Sequence, residues 1–114
     1  MNRSYSLKKN KQFQYVYRRG TSRAALHLVL LYVRAPQLKV GFSVSKKVGG
    51  SVMRNRIKRL LRENFRNYID SVKPGLYILA ARKTAAEADY HSLGKSLNYL
   101  LRKQGLFKES SETL

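Results

Sequence analysis

The sequence predicts one small domain in which a β-sheet is layered against helices, in the order helix, hairpin, long helix, strand, helix. Three observations lead there. The chain has 114 residues, one domain's worth, and no repeat or long linker divides it. Its 43% hydrophobic content, with 8 Tyr and 4 Phe, is enough for a core, so it is not a disordered basic tail. Apolar residues recur at helical spacing in three stretches, and short β-rich runs lie between them.

Residues 11–19 place Phe13, Val16 and Tyr17 at i, i+3 and i+4, with Asn10 as the cap and Gly20 as the stop of a short amphipathic helix. Residues 26–33 are rich in Leu, Val and Tyr without helical spacing, and residues 39–45 alternate Val40, Phe42 and Val44 with Gly41, Ser43 and Ser45. Both read as strands. Pro36 cannot donate to a ladder and biases Ala35 away from helix, so Arg34-Ala35-Pro36-Gln37 supplies a turn and an antiparallel hairpin is expected. After Gly49-Gly50, Ser51 is the expected N-cap of a long helix with no Pro or Gly before Lys73-Pro74-Gly75. Its apolar half carries Ile57, Leu60, Leu61, Phe65, Tyr68, Ile69 and Val72. Opposite, Asn55, Arg59, Arg62 and Arg66 fall within roughly 60°, flanked by Lys58 and Arg56. Residues 76–81 read as a strand of the same sheet, and Asp89 caps a last helix with a stripe of Leu93, Leu97, Leu100 and Leu101, ended by Gly105. Residues 108–114 are polar and expected to fray.

Charge then narrows the partner. Lys and Arg number 24 against 6 Asp and Glu, a formal net charge of +18. Residues 1–62 hold 16 of those cations and no acid. Such a field collects polyanions, nucleic acid first and an anionic membrane surface second. The longest apolar stretch, residues 24–33, is interrupted by His27 and too short to span a bilayer, and the first residues lack the apolar core of a signal peptide. With no Cys for disulfides or zinc–thiolate sites, the protein is expected to be cytoplasmic.

Little in the chain suits autonomous catalysis. His27 and His91 are the only unperturbed acid–base groups near neutral pH, and each reads as a surface or satisfied histidine. A nuclease using metal ions needs clustered carboxylates. Glu63 and Asp70 instead follow Arg59 and Arg66 by four residues, as intrahelical ion pairs would, and Glu87 and Asp89 lie where a helix begins. The loop Lys46-Lys47-Val48-Gly49-Gly50-Ser51 lacks the Gly-Lys-Ser/Thr ending of a phosphate-binding loop, although its backbone amides suit an anion. The basic helix stands apart. Residues 46–66 hold eight Lys or Arg and one acid, where a merely soluble helix face would mix its charges. Guanidinium forks match phosphate by donating two parallel hydrogen bonds.

Residues 44–63, centred on Arg54-Asn55-Arg56-Ile57-Lys58-Arg59, resemble the signature of the bacterial ribonuclease P protein subunit. Leu7-Lys8-Lys9-Asn10-Lys11-Gln12-Phe13 with Tyr17 and Gly20-Thr21-Ser22 resembles the family's opening helix, and Ala81-Arg82-Lys83 its last strand. The resemblance spans residues 7–107. It implies an α+β fold, a single-domain α–β sandwich of order αβββαβα with a central mixed sheet and a left-handed βαβ crossover, the fourth strand coming from a split of residues 21–33. It also implies a subunit that binds a large catalytic RNA and promotes hydrolytic removal of the 5′ leader from precursor tRNA. Magnesium ions, held mainly by the RNA, would do the chemistry, and no obligate protein partner is expected.

Carried over by position, Arg54, Asn55, Arg56, Lys58, Arg59 and Arg62, with Lys46 and Lys47, would contact the catalytic RNA. A second surface, between the first helix and the sheet, would hold the single-stranded leader against Phe13 and Tyr17, with Lys46 and Arg82 along its path and Lys83 on the other side of the strand alternation. The family often has an aromatic residue on the first long strand; the ungapped register gives Leu31, and Tyr32, one step away, is carried as the aromatic candidate for the leader, although a one-residue shift changes the face. Two further readings share the charge: a ribosomal or chaperone protein for structured RNA, and a DNA-binding protein with the basic helix in a major groove. Against the second, no helix precedes the basic one at helix-turn-helix spacing.

Overall fold

The computed structural model describes residues 5–108. Helix α1 (Asn10–Arg19) is followed by β1 (Thr21–Ala24), β2 (Leu28–Arg34), β3 (Lys39–Ser43), α2 (Ser51–Arg66), β4 (Gly75–Ala81), a short 3-10 helix (Lys83–Glu87) and α3 (Tyr90–Lys103). The four strands form one mixed sheet in the order β1-β2-β4-β3. Residues 21–33 do split, giving β1 and most of β2, which pair antiparallel from Thr21↔Tyr32 to Ala24↔Val29.

The expected hairpin between β2 and β3 is not formed, because β4 lies between them. It pairs antiparallel with β2, from Leu28↔Ala81 to Arg34↔Gly75, and parallel with β3, from Lys39↔Leu76 to Ser43↔Ala80. The physical reason is burial. Tyr77, Ile78 and Leu79 are three consecutive residues with no exposure, which only a strand covered on both faces can provide. Gly41 and Ser43 suit β3 to a position nearer the rim, where the Leu7 N–H donates to the Val40 carbonyl at 2.9 Å and covers part of the outer edge.

Side-chain alternation divides the core in two. Leu28, Leu30, Tyr77 and Leu79 pack with Ile57, Leu61 and Phe65 of α2 and Leu93, Leu97, Leu100 and Leu101 of α3. Leu31 and Ile78 face the other way and pack with Leu7 and Val16, against α1. Helix α1 starts one residue before the expected range: Asn10 is inside it and Lys9 is the cap, its N–H donating to Gln12 Oε1 at 3.4 Å. Gly20 ends it in extended backbone, its N–H donating to the Val16 carbonyl at 2.7 Å. A Cβ there would lie 2.6 Å from the Val16 oxygen and 2.9 Å from that of Tyr32, so close approach is what the position demands.

Helix α2 also departs from expectation. Gly50 is its N-cap and Ser51 its first helical residue. It stops at Arg66, and tighter turns carry Tyr68, Ile69 and Val72 back to the core, with the Tyr68 N–H on the Phe65 carbonyl at 2.9 Å. The buried Asn64 ties the two helices together, its Nδ2 donating at 3.1 Å to the Leu60 and Tyr90 carbonyls. Asp89 caps α3 as expected: Oδ1 accepts from the Ser92 N–H at 2.8 Å, the bond that holds its carboxyl below the ordinary aspartate value. Of the tail expected to fray, the Lys108 N–H donates to the Ser71 carbonyl at 2.9 Å, and residues 109–114 lie outside the described residues.

Gly41 marks the contact between α1 and the sheet, since a Cβ there would lie 2.4 Å from Cζ of the Phe13 ring. Gly41→Ala is expected to cost about 1–3 kcal/mol in urea unfolding. In a Phe13→Ala background the added cost should shrink markedly, and equal costs in both backgrounds would show that the ring is not what the methyl meets.

Candidate nucleic-acid interface

Parallel pairing of β3 with β4 decides where the basic residues gather. Both strands end at the same edge of the sheet, so the Lys46-Lys47 turn after β3, the start of α2 and Arg82 after β4 share that end. Lys46 and Lys47 are exposed in a turn closed by the Val48 N–H on the Ser45 carbonyl at 3.0 Å. Arg82 continues the β4 alternation on the α1 side. Its N–H bonds the His27 carbonyl at 2.9 Å, and its Nη1 the Ala25 carbonyl at 2.7 Å, which holds the β1–β2 turn and leaves the rest of the guanidinium exposed. Lys83 opens the 3-10 helix instead of prolonging the strand.

On α2, Ile57, Leu60, Leu61 and Phe65 are buried, which turns Asn55, Arg56, Arg59, Arg62 and Arg66 to solvent; Arg54 and Lys58 are half-buried at the border. The ridge is poorly neutralised. Arg59 Nε lies 3.9 Å from Glu63 Oε2 in an exposed pair of little energetic worth. The expected Arg66–Asp70 pair does not close, because the helix ends at Arg66 and Asp70 lies in the turns beyond. Arg56 Nη2 reaches the Ala88 carbonyl at a long 3.5 Å. Arg54 Nε is buried with no hydrogen-bond partner, an unmet donor at the start of the helix.

On the α1 side, Phe13 is half-buried over Gly41, whereas Tyr17 is 49% exposed. Phe13 therefore forms part of a floor and Tyr17 stands free at the helix surface. Leu31 shares this face, paired with Ile78. Tyr32 does not: it is paired with Tyr77 on the opposite face, its ring centroid 4.9 Å from that of Tyr77 and its hydroxyl donating to the Pro74 carbonyl at 2.6 Å. Burial pushes that hydroxyl's pKa up. The structure thus separates Tyr32 from Phe13 and Tyr17, since the two-residue strand period sends neighbours to opposite faces.

His27 has structural company, with Nδ1 2.9 Å from Thr84 Oγ1 and its N–H on Ser96 Oγ at 3.4 Å. His91 is exposed and stands edge-on to Tyr90 at 5.6 Å. No group of three or more His, Cys, Asp or Glu able to hold a metal ion occurs among the described residues. Glu63 is turned to Arg59 and Asp89 to its own helix, so neither is placed to hold a magnesium ion. No helix among the described residues is long and apolar enough to cross a membrane.

Sequence reasoning missed a polar groove between α2 and α3, lined by Tyr90, Lys95, Asn98, Tyr99 and Arg102 among others. The one signal for it was the lack of any acid within residues 90–103. For Tyr32, removal of its hydroxyl should affect stability and not RNA. Tyr32→Phe is expected to lower unfolding free energy by about 1 kcal/mol and leave affinity for any RNA ligand unchanged, as read by urea melts and filter binding.

Residues 1–105 match the family model described as Ribonuclease P. The ribonuclease P protein component of Bacillus velezensis is 44% identical over 114 residues, covering 97% of this chain and 98% of the relative. That of Geobacillus kaustophilus is 40% identical over 116 residues, covering 98% and 96%. Among solved structures, the RNase P protein of Staphylococcus aureus aligns with a TM-score of 0.84 at 34% identity, covering 91% of this chain and 98% of that one. The RNase P protein of Thermotoga maritima aligns with a TM-score of 0.77 at 25% identity, covering 86% and 96%. Likeness of this extent, running through every element from α1 to α3, makes the chain a member of the ribonuclease P protein family.

Proposed function

We propose that the chain is the protein subunit of ribonuclease P, working in the cytoplasm with a catalytic RNA to remove the 5′ leader of precursor tRNA. The observation that carries this reading is the poorly neutralised ridge of Arg56, Arg59 and Arg62 on α2, beginning at the sheet end where Lys46, Lys47 and Arg82 also lie. Such a ridge grips a phosphate backbone through charge-assisted, often bidentate hydrogen bonds, and releases counterions as it does so. Asn55, exposed on the helix, and Arg54 and Lys58 at its border would complete the contact.

The leader would run between α1 and the sheet. Tyr17 offers a base an open ring over a floor that includes Phe13, and Lys46 and Arg82 meet phosphates toward the sheet end. Stacking on an aromatic ring suits an unpaired strand because every base has a face to offer. Magnesium ions needed for hydrolysis are assigned to the RNA, and the protein's part is to neutralise charge and add affinity for the precursor.

The test is 5′-leader removal by the purified chain, with and without a bacterial ribonuclease P RNA, at low magnesium. Cleavage only when both are present supports the reading. Cleavage by the chain alone would overturn it, as would RNA binding that never stimulates the RNA enzyme. With about six phosphates engaged, the logarithm of the assembly constant should fall with the logarithm of salt at a slope of about −4 to −5. Arg59→Ala and Arg62→Ala should each weaken assembly about tenfold and make that slope shallower. Tyr17→Ala should weaken binding of a precursor with a leader about 5- to 100-fold and spare mature tRNA; equal losses for both would remove Tyr17 from the leader path.

A further inference from the structure

Helix α3 turns its leucines inward and presents Lys95, Tyr99, Arg102 and Lys103 outward, with no acidic residue from Tyr90 to Lys103. A face that served solubility alone would mix its charges. Beside it lies the groove of about 620 Å³ between α3 and the C-terminal end of α2, on the opposite side of the sheet from α1. The groove's polar lining is held in place by its own side chains. Asn67 Nδ2 donates to the Tyr90 hydroxyl at 2.8 Å, and Asn98 Nδ2 to the Tyr68 hydroxyl at 3.2 Å, which leaves the two amide oxygens as acceptors. At the rim, Tyr99 is 48% exposed with Lys103 Nζ 5.6 Å from its ring centroid.

Aromatic faces, amide acceptors and unopposed cations within one groove are the chemistry of unpaired nucleotides: rings for bases, amide oxygens for base amino groups, ammonium and guanidinium for phosphates. The volume is that of a small-ligand site, which typically measures about 300–1,000 Å³. Asn64 of α2 and the helix's C-cap Asn67 line the groove, on the core side of α2 and away from the face that carries Arg59 and Arg62 outward. We propose that this groove is a further RNA contact, in which an unpaired nucleotide of the RNA partner stacks on Tyr99 while its flanking phosphates meet Lys95 and Arg102. The proposal rests on the reading of that partner as a ribonuclease P RNA; its place on the protein is separate from both the ridge and the leader path.

The experiment measures assembly of the full chain with a bacterial ribonuclease P RNA across a salt series, for the wild type, Tyr99→Ala and Lys95→Ala/Arg102→Ala. All altered residues are exposed, and unchanged thermal melts confirm that the variants fold. Tyr99→Ala is expected to weaken assembly about 5- to 100-fold with the salt slope unchanged, as loss of a stacking contact requires. Lys95→Ala/Arg102→Ala should make the slope shallower by about 1.5, the value for two phosphates released. Lys95→Arg/Arg102→Lys should restore it. If the wild type assembles with a steep salt slope and these variants do the same at equal affinity, the groove is not an RNA contact and an acidic protein segment becomes its better occupant. A wild type that does not assemble with the RNA refutes the functional reading itself, and the groove proposal with it.

Discussion

Everything in this molecule is arranged around a strand that must be covered on both faces. Tyr77, Ile78 and Leu79 are fully buried in succession, so β4 needs a strand on each side and helices above and below. Its parallel partner β3 comes before it in sequence, and a parallel pair requires a crossover connection, which is α2. The crossover fixes where α2 begins, at the edge where β3 and β4 both end. Functional placement therefore follows from burial: the cations of the turn, of the helix start and of Arg82 meet because a hydrophobic strand demanded that topology.

The basic ridge is costly in the free protein. Helix α2 has no acidic residue in its first turn and no side-chain cap, and Arg54 stands near the helix end that repels cations. Arg56, Arg59, Arg62 and Arg66 repel one another at three- and four-residue spacing, with Glu63 as the one acid among them. A phosphate backbone would reverse each of these terms, supplying the anion that the helix start and the ridge both lack. Strain of this kind in the isolated chain is what a surface shaped for a polyanion entails.

Much of this was legible from local pattern. The apolar spacing of Phe13, Val16 and Tyr17, of Ile57 to Phe65 and of Leu93 to Leu101 located three helices because each periodicity is contained in its own segment. Strand pairing was not contained in this way. Nothing between Leu28 and Ser43 announces that residues 75–81 will come between them, so the turn at Pro36 signals a hairpin locally although the ladder partners are non-local. The same limit applied to Tyr32, whose face is set by Ile78 and Tyr77 across the sheet, and to the α2–α3 groove, which two helices build jointly. Cap positions slipped by a residue at Asn10 and Ser51 because backbone geometry, and not cap preference, decided where each helix began.

Gly20 joins α1 to β1 with no slack, its backbone pressed against the carbonyls of Val16 and Tyr32. With Phe13 wedged over Gly41 at the other contact, α1 is pinned to the sheet at two points along its length. The face of α1 beside the sheet is consequently fixed before any ligand arrives. A leader lying there, as proposed, would meet a helix already in position, so ordering would fall on the nucleotide chain alone. Tolerance for leaders of varied sequence would then come from the interchangeability of base faces, not from give in the protein.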